Sequence, residues 1–253
     1  MEFYCLTDKG RVRKANEDFV FASDHAVGPL KDLFLVADGM GGEKAGDYAS
    51  EYTVRKVVDV LRGKTEEELQ QDGVVTLLRD AITVANWKLH ETAQSDEEKR
   101  GMGTTLVAAT TIDGRLHVAN VGDSRLYILS DSRLRQITLD HSYVQEMVRR
   151  GEMTEEMAAT HKFKNRITRA IGAESMVRVD FFDADLCGVE RILLCSDGLT
   201  NMVGDTRIES VLSDGSTPQK QAELLLEEAL ENGGVDNVTL LIIDPTESEE
   251  SIC

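Results

Sequence analysis

Cysteine is scarce in this chain, and the four present, Cys5, Cys187, Cys195 and Cys253, lie far apart with no Cys-x-x-Cys pair. That excludes a disulfide framework and a zinc knuckle and fits reduced thiols. No apolar stretch reaches the roughly 18 residues that a membrane span needs. Met1-Glu2-Phe3-Tyr4-Cys5 also lacks a basic segment followed by an apolar one. The chain therefore reads as having neither a span nor a signal peptide, and the cytoplasm is its expected location. Positive charge is short as well: 28 Lys and Arg face 46 Asp and Glu, for a formal charge of −18. Such a balance repels nucleic acid and anionic lipid, so neither is an expected partner, whereas cations are. Internal repeats and Pro- or Ser-rich linkers are missing, which favours one large domain in the 253 residues.

What the chain does contain is a set of aspartates at the ends of apolar runs. Asp38 follows Leu33-Phe34-Leu35-Val36-Ala37, Asp197 follows Ile192-Leu193-Leu194-Cys195-Ser196, and Asp236 opens the run from Val238 to Ile243. Burying a strand whose end carries an unpaired carboxylate is costly, so three such ends suggest carboxylates gathered around a cation.

Elsewhere sheet and helix blocks alternate. Residues 3–7, 17–22 and 33–37 read as strands, followed by a helix over about 45–61 with Tyr48, Tyr52 and Val58 inward. A second helix, over about 74–93, carries Val74, Leu77, Leu78, Ala81, Ile82, Ala85 and Leu89 at the i, i+3, i+4 spacing of a buried stripe. A meander of strands follows over 105–112, 115–121, 125–129 and 134–138, with turns at Asp113-Gly114 and Ser130-Asp131-Ser132. The stretch 141–166 has few strongly apolar residues and reads as irregular. Strands return at 177–183 and 191–195, and a last helix starts at Thr217-Pro218 and stops at Gly233-Gly234.

An Asp-Gly pair is commonly just a turn. Asp113-Gly114 sits between alternating strands and reads as a hairpin, while Asp72-Gly73 and Asp214-Gly215 precede helices. Asp38-Gly39 differs because it runs into Met40-Gly41-Gly42, where glycine lets the backbone approach an ion or phosphate closely. Asp197-Gly198 likewise ends a strand. On the residues alone, turn and ligand remain open for both pairs.

Six segments together resemble a known family. Arg13-Lys14-Ala15-Asn16-Glu17-Asp18, Val36-Ala37-Asp38-Gly39-Met40-Gly41-Gly42, Gly103-Thr104-Thr105, Asn120-Val121-Gly122-Asp123-Ser124-Arg125, Cys195-Ser196-Asp197-Gly198-Leu199 and Asp236-Asn237-Val238-Thr239 occur in that order. The order and spacing are similar to those of metal-dependent Ser/Thr protein phosphatases of type 2C, the PPM family, in their bacterial stand-alone form. The resemblance covers about residues 3–243. It implies an α+β fold: an antiparallel β-sandwich flanked by pairs of helices in four layers, α-β-β-α. The phosphatase domain would take residues 1–244, with a flap subdomain at about 141–166 and an acidic, disordered tail at 245–253.

The resemblance also implies a site with two central Mn²⁺ or Mg²⁺ ions and a weaker third. By it, Asp38 bridges the central pair, Gly39 offers its carbonyl oxygen, and Asp197 and Asp236 complete the shell. Glu17 and Asp18 would hold metal-bound waters, Asn237 would orient Asp236, and Asp123 would share the third ion with Asp197. The chemistry of the residues is compatible: oxygen donors suit hard cations, no His stands near to favour zinc, and Cys195 lies inside an apolar strand and reads as packing. Two cations about 4 Å apart lower the pKa of a bridging water so that hydroxide attacks phosphorus in line. Arg13 matches the arginine that grips two phosphoryl oxygens with its guanidinium fork; otherwise it would be one surface charge beside Lys9, Arg11 and Lys14.

One departure matters. Many eukaryotic relatives have histidine after the Asp-Gly pair, where this chain has Met40, whose thioether cannot donate a proton. The acid would then be a metal-bound water, supplied by the third ion, or a group from elsewhere. His161 in the flap is one candidate, while His141 reads as structural. The expected partners are phosphoproteins, including a Ser/Thr kinase that the enzyme opposes, and the expected state is a monomer. Two other function classes fit the residues less well. A metal-holding module without turnover is disfavoured by Asp38, Asp197, Asp236 and Arg13 together, and a two-metal phosphodiesterase on nucleic acid by the acidic chain.

Overall fold

The computed structural model describes residues 1–41 and 45–245; Gly42 of the glycine loop and residues 246–253 of the acidic tail lie outside the described residues. In chain order the elements are β1 (Glu2–Asp8), β2 (Asp18–Ser23), β3 (Leu33–Met40), α1 (Gly46–Arg62), α2 (Glu66–Ser95), β4 (Gly103–Thr104), β5 (Leu106–Ile112), β6 (Arg115–Val121), β7 (Arg125–Ser130) and β8 (Arg133–Gln136). Then follow α3 (Tyr143–Arg149), α4 (Glu155–Ala159), β9 (Asp180–Asp185), β10 (Val189–Cys195), α5 (Asp197–Thr200), α6 (Asp205–Leu212), α7 (Pro218–Glu231) and β11 (Val238–Asp244).

The strands form two antiparallel sheets, one in the order β1-β11-β10-β7-β8 and the other β2-β3-β5-β6-β9 with β4 beside β3. Their inner faces meet through Phe34, Val36, Val107, Ile128, Ile192, Leu194, Leu241 and Ile243. Alternate residues of the same strands point outward. Leu33, Leu35 and Ala37 of β3 pack under α1 and α2, and Val238, Leu240 and Ile242 of β11 pack under α5, α6 and α7. Strands covered on both sides have no solvent face to carry polar residues, which is why Leu33 to Ala37 is uninterrupted apolar sequence. The α-β-β-α layering expected from the resemblance is the observed fold. Among the described residues no helix is long and apolar enough to cross a membrane.

Several boundaries differ from the sequence reading. The helix read over 74–93 does start after Gly73 (φ 77°), whose backbone is not helical; ahead of that break lies a short helix from Glu66, capped by Thr65, that the sequence reading left out. Its turns are polar and carry no stripe to read. The stretch read as irregular holds α3 and α4, started by the hydroxyls of Ser142 and Thr154, which accept from the amides of Gln145 and Met157. Its neck is closed where Tyr143 N–H donates to Arg166 O (2.8 Å) and Thr168 N–H to His141 O (2.7 Å). β9 lies at Asp180–Asp185 rather than 177–183, and α6 is an element the sequence reading left out. The hairpin at Asp113-Gly114 is as expected, with φ of 49° and 74°.

Candidate active site

The β2–β3 register sets Asp18 opposite Asp38 at one end of the sandwich. Asp197 is the first residue of α5, directly after β10, and Asp236 lies just ahead of β11. Asp123 sits in the tight connection between β6 and β7. A pocket of about 480 Å³ opens between them, lined by Arg13, Glu17, Asp38, Gly39, Met40, Asp123, Asp197 and Asp236 among others. The four expected carboxylates are therefore brought to one place although they are spread over much of the chain.

Each is fixed by its own local device. Asp38 N–H donates to Thr105 Oγ1 (2.9 Å), while Asp38 O accepts from Thr105 N–H and from Thr104 Oγ1 (2.8 Å each). Thr105 Oγ1 in turn shares a hydrogen bond with Ser124 Oγ, 2.7 Å away and next to Asp123. Asp18 Oδ2 accepts from Ser196 Oγ (2.7 Å), whose oxygen also takes the Thr239 amide (3.0 Å). Asn201 donates to Asp197 Oδ2 (2.9 Å). Two glycines allow the close approach this needs: a Cβ on Gly39 would lie 2.0 Å from Gly46 O, and one on Gly198 only 1.8 Å from Asn237 O.

Crowding of carboxylates shows in their acidities. Burial, then repulsion from Asp18, Asp197 and other neighbours, holds Asp38 well above the usual range. Burial likewise pushes Asp18 up to about 7 and Asp123 up to about 8, with Asp197 adding to both. Asp197 is raised by burial and by Asp236. Asp18 Oδ1 is buried without a hydrogen-bond partner. Among the described residues no three His, Cys, Asp or Glu side chains converge as a ready-made ion shell. Carboxylates that repel one another, a buried orphan oxygen and an oxygen-only donor set are nonetheless what a hard divalent cation would neutralise.

Arg13 reaches over this floor, donating from Nη2 to Asp236 Oδ2 at 2.7 Å, and its guanidinium is raised in pKa chiefly by that bond. The Asn237 carboxamide does not touch Asp236; only its backbone N–H does, at 2.8 Å from Oδ1. Its side chain serves the loop that carries Arg13, contrary to the orienting role expected for it. Met40 lines the pocket at the end of β3. His161 does not line it. The imidazole stands among Tyr143 and Phe163, ring centres 6.0 and 5.6 Å away. From the stretch 141–166 Asn165 reaches the pocket, as does Ile167 just beyond it. An adjoining hollow of about 340 Å³ is walled by Lys164, Asn165 and Asn201 and shares Asp123 and Asp197. Neither Asn165 nor the hydroxyls of Thr105 and Ser196 were assigned a role from the sequence. Gly103-Thr104-Thr105 was visible as a motif, and its hydroxyls were the available signal.

A family model described as Protein phosphatase 2C matches residues 10–231. Serine/threonine phosphatase stp of Listeria welshimeri is 42% identical over 241 residues, covering 94% of this chain and 93% of that protein. Protein phosphatase PhpP of Streptococcus pneumoniae is 34% identical over 252 residues, covering 98% of this chain and 99% of that protein. Serine/threonine phosphatase Stp1 from Staphylococcus aureus has a crystal structure similar to this fold. The TM-score is 0.87 at 36% identity, over 97% of this chain and 95% of that one.

Proposed function

We infer what the site does from one premise: the chain belongs to the protein phosphatase 2C family. It is a serine/threonine protein phosphatase. Its substrates are phosphoserine and phosphothreonine in proteins, and its cellular role is to oppose a Ser/Thr kinase. The observation that carries this reading is the pairing of one rim arginine, Arg13, with a floor of buried carboxylates, since a dianionic ester needs a cationic grip that carboxylates alone cannot give.

Asp38, Asp197, Asp236 and the Gly39 carbonyl would hold two Mn²⁺ or Mg²⁺ ions, and Asp123 with Asp197 a weaker third. When bound, the central pair supplies Lewis-acid stabilisation of the phosphoryl oxygens and an activated water. The chain's own residues do the rest. Arg13 fixes the ester by two parallel hydrogen bonds, which aligns phosphorus for in-line attack. Thr104 and Thr105 pin the backbone of Asp38, so that its carboxylate need not reorganise. Glu17 and Asp18 back the cluster as acceptors for water. Met40 gives no proton, and the leaving alkoxide must obtain one elsewhere.

The test is hydrolysis of a phosphothreonine peptide and p-nitrophenyl phosphate with Mn²⁺, beside a phosphate bis-ester. Both monoesters should turn over and the bis-ester should not. EDTA should abolish activity and Mn²⁺ or Mg²⁺ restore it. Asp38→Asn should lose at least about a hundredfold with the fold retained by circular dichroism. Turnover that survives exhaustive chelation would refute the reading.

A further inference from the structure

Residues 11–17 form no regular element, so little in the loop's own backbone fixes where Arg13 stands. The point that joins its two arms is Asn237, only 3% exposed. Its Oδ1 accepts from Glu17 N–H at 2.8 Å, and its Nδ2 donates to Lys9 O and Ala15 O, both at 2.9 Å. The contacted residues lie on both sides of Arg13 in the chain. One carboxamide thus ties both arms of the loop to a single buried point. Its neighbour Asp236 holds the guanidinium itself. Only a carboxamide combines an acceptor with two donors on so short a side chain: aspartate would lose both donors and serine most of the reach.

We propose that Asn237 is a positioning residue for phosphate recognition: it clamps the loop spanning residues 9–17 so that Arg13 stands over the pocket, and it acts through Arg13 rather than on ion binding through Asp236. The proposal rests on the phosphate-binding assignment of Arg13 made above. The other tethers hold each arm separately: Arg11 N–H and Nε donate to Gly234 O and Leu230 O on the first, while on the second Asn16 Nδ2 donates to Thr7 Oγ1 and Glu17 O accepts from Gly39 N–H and Ser50 Oγ. Without Asn237 the bonds to Lys9 O, Ala15 O and Glu17 N–H are lost and the two arms are no longer joined at one point, so the arginine samples positions from which it cannot form its bidentate contact.

Wild type, Asn237→Ala, Arg13→Ala and the double variant form a cycle, read on a phosphothreonine peptide, on inorganic phosphate as inhibitor, and on Mn²⁺ by calorimetry. Losing the charge-assisted contact in Arg13→Ala should lower kcat/KM roughly tenfold to a hundredfold. Asn237→Ala should lose up to that factor, mainly in KM, and weaken phosphate inhibition in parallel. In the Arg13→Ala background the same change should cost under about threefold, because residues acting as one unit are not additive. Losses that multiply, or Mn²⁺ affinity down tenfold in Asn237→Ala, would overturn the proposal. Hydrogen exchange of the Glu17 amide gives an independent arm that needs neither ions nor turnover. In wild type it should exchange slowly, and in Asn237→Ala or Asn237→Ser as fast as an exposed loop amide. Fast exchange in wild type would remove the clamp even if the variants failed to fold. If wild type hydrolysed no monoester, the phosphatase reading would fail, while phosphate binding and amide exchange would still judge the clamp.

Discussion

Met40 stands where a proton donor would be convenient, and the pocket around it is lined by carboxylates, a glycine edge and an arginine. Asp123 is the group whose loss should expose how the leaving oxygen is protonated. It is buried in the β6–β7 connection, backed by Ser124 and Thr105, and lies in both the central pocket and the hollow beyond it. On the proposed assignment Asp38, Asp197 and Asp236 hold the two central ions, so Asp123→Ala should leave two tight Mn²⁺ sites countable by calorimetry. If Asp123 recruits the proton source, kcat on a phosphothreonine peptide should fall by the roughly 10² to 10⁴ of lost general acid catalysis. p-Nitrophenyl phosphate should suffer far less, since a nitrophenolate leaves without a proton and a threonine alkoxide does not. Equal losses on the two substrates would dismiss the acid role. Loss of a tight ion site would place Asp123 in the central pair instead.

At the scale of elements, what the sequence made legible followed burial. Val74, Leu77, Leu78, Ala81, Ile82, Ala85 and Leu89 are all buried, and their spacing declared the helix. Glu66 to Asp72 had no such stripe, and the glycine after Asp72, read as a boundary, is the break between that short polar helix and the striped one. α3 and α4 were hidden for the same reason, with Val144 the one buried residue of α3; only the caps at Ser142 and Thr154 marked them. His141, at the flap's neck, was read as structural, and the structure gives the reason. Its Nδ1 accepts from Gly122 N–H (3.0 Å), so the ring proton resides on Nε2, facing Asp180 Oδ2 at 3.1 Å. Burial, and then the charge of Arg169, holds its pKa below the ordinary 6.5. The unfolded chain therefore takes up this proton first, so the contribution is present above pH 6.5 and is lost as pH falls below it. Urea unfolding of ion-free protein at pH 7.5 and 5.5 should show wild type losing more stability on acidification than His141→Gln. Parallel losses would mean that the imidazole is not buried neutral.

The whole molecule puts its ion-binding potential at one end of a sandwich, and this was the least legible feature from residues alone. Asp38 and Asp236 are far apart in the chain, and no local pattern says that β3 and β11 deliver them to one pocket. The ordered motifs implied it through resemblance; the antiparallel registers supply the physical cause. That convergence has a cost in the ion-free fold, where burial and mutual repulsion raise the pKa values of these carboxylates above the ordinary range. The unfolded chain disperses the same groups and has no such cluster to offer an ion. A cation that binds the fold and not the unfolded chain stabilises by about 2.7 kcal/mol per site at a hundred times its Kd. In a domain of this size that raises the melting temperature by about 5–10 °C for each site filled. Thermal unfolding in EDTA and then in excess Mn²⁺ should therefore separate by at least that much. In Asp38→Asn, which removes the carboxylate expected to serve both central ions, most of the separation should vanish while the EDTA melting point rises, since one repelled carboxylate is gone. A full Mn²⁺ shift in that variant would show that the ions which stabilise the fold are held away from Asp38, and the carboxylate floor would lose its assigned role.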